Sequence, residues 1–115
     1  MTMFDLINEW ANERGLLSIE WDKSAQASFL AEELSEFLRA KTDNDEIDAL
    51  CDIIVFAVNA IRLKGFDPNI AMAETLREIE SRTGAFNNQT GKWEKDRSEE
   101  AMSFWYTAQY GKAKL

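Results

Sequence analysis

The chain has 115 residues, 45% of them hydrophobic, with 21 acidic side chains against 13 basic ones, no histidine and a single cysteine. That length suits one domain with a modest core. The net charge of −8 speaks against binding a nucleic-acid backbone, which needs a basic face, and against an anionic membrane surface, while one cysteine supports no disulfide framework.

Periodicity, caps and stops predict helices along most of the chain. Phe4–Arg14 reads as an amphipathic helix with Phe4, Ile7, Trp10 and Ala11 on one face and Gly15 as its stop. Gly15–Trp21 is a connector, and Asp22 or Ser24 caps a second helix over Ala25–Lys41. Thr42-Asp43-Asn44 is a polar turn that caps a third helix, Asp45–Lys64, ended by Gly65. Asp67-Pro68 opens a fourth, Pro68–Arg82, with an N-cap acid, proline at the first helical position and Gly84 as stop. Ala85–Asp96 contains Asn87-Asn88 and Thr90-Gly91 and is expected to be a loop or short hairpin. Ser98 caps a final helix, Glu99–Tyr110, before a basic tail. With no repeat, low-complexity tract or linker, residues 1–115 are expected to form a single all-α domain, a four-helix bundle with an extra C-terminal helix.

Two acidic pairs stand out on this frame. In the second helix, Phe29, Leu30, Leu34, Phe37 and Leu38 mark the core-facing arc; Glu33 falls inside it and Glu36 at its edge. The third helix carries Ile47, Leu50, Ile53, Ile54, Val55, Phe56, Val58, Ile61 and Leu63 on nearly every side, the pattern of a buried helix; Cys51 reads as one of its core residues. Asp48, Asp52 and Asn59 lie within roughly 40° of one another, as a polar stripe on this rod. The turn between the helices is short, which makes them antiparallel neighbours and brings both pairs to one level. A buried carboxylate neutralises, pairs or binds a metal, and four facing carboxylates cannot pair as anions. A hard divalent cation resolves the repulsion. Without histidine, HExxH zinc sites and di-iron sites on Glu-x-x-His are excluded, and an oxygen-only ligand set points to Mg²⁺, with Mn²⁺ as the alternative. Asp43-x-Asp45-x-Ile47 resembles the opening of a calcium loop but lacks its glycine and terminal glutamate, where Asp48 and Ile54 stand.

Other residues extend the candidate site. Gln26 and Asn59 are side-chain amides able to read a base edge or hold a phosphate oxygen. Among four tryptophans, Trp21 and Trp93 lie in connectors and are the ones expected to stack on a ligand. Arg82 and Lys92 are the cations expected to offset a polyphosphate; Lys95 and Arg97 read as surface charge.

Glu32-Glu33-x-x-Glu36, followed by Glu46-Ile-Asp-Ala-Leu-Cys-Asp-Ile-Ile-Val, resembles the two metal-binding helices of the MazG-like all-α nucleoside triphosphate pyrophosphohydrolases. Ala73-Glu-Thr-Leu-Arg-Glu-Ile-Glu-Ser-Arg-Thr-Gly and Gly91-Lys-Trp-Glu-Lys-Asp are similar to the tail of the short phage and bacterial members. The family writes its second pair as Glu-x-x-Asp; here Asp52 matches the aspartate, Ala49 stands in place of the glutamate, and Asp48 is the substitute ligand. The family often carries a lysine two residues before the arginine of its fourth helix, where this chain has Glu80. The resemblance implies Mg²⁺-dependent hydrolysis of a (deoxy)nucleoside triphosphate to the monophosphate and pyrophosphate.

On this reading Glu33, Glu36, Asp48 and Asp52 hold one to three Mg²⁺ ions, Glu36 takes the proton of the attacking water, Arg82 and Lys92 face the pyrophosphate, and the base lies near Gln26, Asn59 and Trp21. The rival expectation is a non-catalytic nucleotide-binding or protein-interaction module, which Ala49 favours. The apolar third helix, with Phe4, Trp10, Phe104, Trp105 and Tyr106, predicts an exposed interface and hence a homodimer or dimer of dimers. No apolar run reaches membrane-span length, and Met1-Thr2-Met3-Phe4-Asp5 is not signal-like, so a cytoplasmic location is expected.

Overall fold

The computed structural model describes residues 1–115 and is mainly helical. In chain order it comprises α1 (Met3–Glu13), α2 (Lys23–Arg39), α3 (Asp43–Leu63), α4 (Pro68–Glu80), β1 (Gly84–Asn87), β2 (Lys92–Lys95), α5 (Glu99–Met102) and a 3₁₀ turn at Tyr110–Ala113. No helix is long and apolar enough to cross a membrane. The chain divides into two compact units, one of residues 1–69 with Lys114–Leu115, the other Ile70–Ala113.

In the first unit, side chains start each helix. Thr2 and Asp5 form a reciprocal capping box on α1. The Asp22 carboxylate accepts from the Ala25 N–H at 3.2 Å, which settles the choice between Asp22 and Ser24. Thr42 Oγ1 accepts from the Asp45 N–H at 3.1 Å. Asp67 accepts from the Asn69 N–H at 2.9 Å, with Pro68 between them as the first helical residue. Gly65 turns the chain out of α3 with φ +101°, a conformation that a side chain would strain. Helices α2 and α3 pack as an antiparallel pair, with Phe29 stacked on Phe56 at 5.4 Å between centroids. Ala49, only 2% exposed, allows their close approach. Helix α1 packs on α3 over Ala11 and Val58.

The core is small. Fully enclosed apolar side chains are Ala11, Ala49, Val58, Pro68, Ala71 and Ala113; no leucine, isoleucine or aromatic residue joins them. Two expectations are corrected here. Helix α3 is not a buried rod, because Ile47, Leu50 and Ile54 are 58%, 41% and 51% exposed. Cys51, on the same open side, is exposed rather than a core residue.

In the second unit, β1 and β2 form the antiparallel hairpin, pairing Gly84 with Lys95 and Asn87 with Lys92. A Cβ at Gly84 would collide with the Glu94 carbonyl, so glycine is required there. The expected final helix over Glu99–Tyr110 is corrected: α5 stops at Met102. The backbone that follows donates elsewhere. Tyr106 N–H reaches Ser81 Oγ at 2.8 Å, Ala108 N–H reaches Glu78 Oε1 at 3.1 Å, and Gln109 N–H reaches Glu74 Oε1 at 2.9 Å. These bonds replace the intrahelical ladder, and Phe104, Trp105, Tyr106 and Thr107 are weak helix formers.

Candidate metal and nucleotide site

A cavity of about 250 Å³ opens in the first unit, and the two central helices supply most of its wall. Helix α2 contributes Gln26, Phe29 and Glu33; α3 contributes Asp52, Val55, Phe56, Asn59 and Leu63. Trp10 of α1 and Leu16 and Ile19 of the connector complete it. These positions recur at helical spacing on one side of each helix, so local periodicity brings them together.

The cavity is mostly apolar, and two carboxylates enter it. Glu33 Oε2 is buried with no hydrogen-bond partner. An ionised oxygen in that position is costly. Burial pushes the Glu33 carboxyl up to about 7, aided by the neighbouring Glu36, Asp52 and Glu32. Asp52 is also raised, by burial first and then by Asp48 and Glu36. The four acids singled out in the sequence therefore share one electrostatic neighbourhood. Glu36 and Asp48 are exposed at its edge, and no three acids converge into a ready-made cation cage. The donor chemistry fits a hard divalent cation: oxygen-only ligands, one of them an orphaned buried oxygen.

The amides behave differently from each other. Gln26 lines the cavity with its side chain, while its backbone N–H donates to the Asp22 carbonyl at 3.1 Å. Asn59 Oδ1 accepts from Asn8 Nδ2 at 3.1 Å, which leaves the Asn59 Nδ2 as a donor for the cavity. Asn8 is itself buried, and its Nδ2 lies 3.5 Å from the Val58 carbonyl. Sequence reasoning missed Asn8; its signal was an amide four residues after Phe4 and three before Ala11 on the apolar face of α1. Asp52 also borders a second groove of about 310 Å³ with Leu6, Ile7, Trp10 and Val55.

Trp21 does not line the cavity; its ring carries the Lys64 ammonium at 4.9 Å. The tryptophan that does is Trp10, beside Phe29 and Phe56. Arg82 and Lys92 belong to the second unit. Arg82 is not a free phosphate ligand there. Its guanidinium bonds the Tyr106 carbonyl at 3.0 Å, lies 3.6 Å from Glu78 Oε1 and covers the Trp105 ring at 4.3 Å. Lys92 is exposed on β2, and Trp93 lines a small recess of about 110 Å³ with Glu78, Ile79, Arg82 and Lys95.

Compared with known protein families, with characterised proteins and with solved structures, the chain matches none.

Proposed function

We propose that this protein is a Mg²⁺-dependent nucleoside triphosphate pyrophosphohydrolase of the MazG-like type. The observation that carries the reading is the unpartnered Glu33 Oε2 beside Asp52 at an apolar, amide-edged cavity. Glu33 and Asp52 would hold the cation from inside, and Glu36 and Asp48 would swing in from the exposed edge. Bound Mg²⁺ would supply charge neutralisation for the phosphates and acidify a water for attack at the α-phosphorus. Glu36, exposed outside the apolar wall, would take the water's proton to solvent. Phe29, Phe56 and Trp10 offer faces for a base, and Gln26 and Asn59 offer donors to its edge. Phosphate charge rests on the cation in this reading, since Arg82 is engaged elsewhere.

The second reading is an inert relative that binds a nucleotide. Ala49 favours it, because the position that carries a glutamate in the family is 2% exposed and has no ligand to offer. Pyrophosphate release from a panel of triphosphates, titrated with Mg²⁺, separates the two. Activity should require Mg²⁺ and fall at least ~100-fold in Glu33→Gln, more than loss of a supporting residue around a metal costs. Mn²⁺ binding, read by electron paramagnetic resonance, should weaken in the same variant. Undiminished turnover in Glu33→Gln refutes the site, and nucleotide binding without any release establishes the inert reading.

A further inference from the structure

Granted the nucleotide site proposed above, on which this rests, we infer that the cavity selects a base with an oxo group opposite its sugar, as in uracil, against one with an amino group there, as in cytosine. Asn8, which lies outside the cavity wall, is the positioning residue that sets this preference, by fixing which end of the Asn59 amide a base meets.

The cavity has an acid end and an amide end. Each central helix carries one acid and one amide seven residues apart, Glu33 and Gln26 on α2, Asp52 and Asn59 on α3, and all four line the wall. Seven residues make two turns, so acid and amide share a face about 10 Å apart along the axis. The helices are antiparallel, and Phe29 stacks on Phe56, each three residues from the amide of its own helix. Both acids therefore lie at one level and both amides at another. A phosphate chain held through a cation at the acids leaves the sugar between the two levels and the far edge of the base at the amides. In a pyrimidine the ring atom opposite the sugar is C4, which carries an oxo group in uracil and an amino group in cytosine.

The polarity of Asn59 follows from a group that cannot change its own. The Val58 carbonyl only accepts, so the end of the Asn8 amide 3.5 Å from it is the donor Nδ2. The reverse orientation would set two oxygens against each other at a residue only 8% exposed. The same Nδ2 donates to Asn59 Oδ1 at 3.1 Å, and the end of Asn59 left for the cavity is its own Nδ2. Gln26 has no such tether and can turn either end to a base. An oxo group at C4 accepts from Asn59, whereas an amino group brings donor against donor in a mostly apolar space.

Calorimetric titration of the full chain in Mg²⁺ with the α,β-imido analogues of dUTP and dCTP tests this. Wild type should bind the uracil analogue about 10–100-fold more tightly. In Asn8→Asp, ionised at about pH 8, the side chain offers only acceptors. Asn59 then turns its Nδ2 toward position 8 and leaves Oδ1 for the cavity, so the preference should reverse. Lost packing alone at position 8 would weaken both analogues together and keep their ratio. If Asn8→Asp loses its helical circular dichroism, Asn8→Ala must bring the two affinities to within about threefold, since an untethered Asn59 can turn either end to the base. Pyrophosphate release does not enter the ratio, so failure of the proposed reaction is distinguishable from failure of the base preference. Equal affinities in wild type, an unchanged preference in the folded variant, or no binding of either analogue overturns the inference.

Discussion

Glu33 and Glu36 differ by one turn of helix, yet only Glu33 faces the cavity. Its Oε2 is buried without a partner, whereas Glu36 is exposed. Asp52 and Asp48 repeat that division on α3, half-buried and exposed respectively. The inner acids, held by packing, should therefore contribute more to cation binding than the outer ones, which must be drawn in. Asp52→Asn is expected to weaken Mn²⁺ binding by ~10–100-fold, and Asp48→Asn by less. Titration followed by electron paramagnetic resonance measures both. Equal losses would show that Asp48 binds the cation as strongly as Asp52 does.

At the scale of the element, the α2–α3 pair depends on how tightly the chain reverses between Ala40 and Thr42. Ala40 ends α2 by donating its N–H to the Phe37 carbonyl at 3.3 Å. Two residues later Thr42 starts α3: its Oγ1 receives the Asp45 N–H and its carbonyl the Glu46 N–H. Asp43, Asp45 and Glu46 in that first turn favour the positive end of the helix dipole. Thr42→Ala is expected to cost about 1 kcal/mol in urea unfolding, and Thr42→Ser close to nothing, since the hydroxyl does the capping. An equal loss in both variants would place the role of Thr42 in its methyl group. The final helix shows the opposite outcome. Its N-cap is sound, with Ser98 Oγ accepting from the Ala101 N–H at 3.2 Å. Yet a cap starts a helix and does not sustain it once Glu74, Glu78 and Ser81 take the following N–H groups.

For the whole molecule, groups shifted in opposite directions shape stability against pH. Glu33 and Asp52 hold protons more tightly in the folded chain than in the unfolded one. Without metal, the folded state then binds more protons between the unfolded value of 4.5 and about 7 for Glu33, so stability rises as pH falls through that window. Glu74 moves the other way. Its carboxylate accepts from Tyr106 Oη and the Gln109 N–H, with Lys112 and Arg77 nearby, and its pKa is lowered. Asp5 is lowered by the Thr2 N–H and the Asn69 amide. Both contribute stability above their unfolded values that is lost as pH drops below them. The melting temperature in chelator should therefore increase from about pH 8 to about pH 5 and decrease in stronger acid. Added Mg²⁺ should raise it most at the alkaline end, where Glu33 and Asp52 are ionised. A melting temperature in chelator that is flat from about pH 8 to about pH 5 would show that the acids are not confined together.

Chain-local chemistry was enough to determine the four main helices, with bounds shifted by no more than two residues at each end. Their starts at Thr42 and Asp67 and the shared face of Glu33 with Asp52 were equally legible, because periodicity and capping act within a few residues, whereas Asp22 and Ser24 stayed alternatives until the Ala25 N–H was seen to choose Asp22. The hairpin was one of two readings that turn residues allowed, and pairing of Phe86 with Trp93 decided it. What remained depended on segments far apart in sequence. Asn8 orients Asn59 across 51 positions, and Arg82 is tied to the Tyr106 carbonyl across 24. The apolar pattern of the third helix read as burial on every side, and the exposure of Cys51, Leu50 and Ile54 overturns it. Hydrophobicity states that a face must be covered, but only tertiary packing determines whether this chain has anything left to cover it.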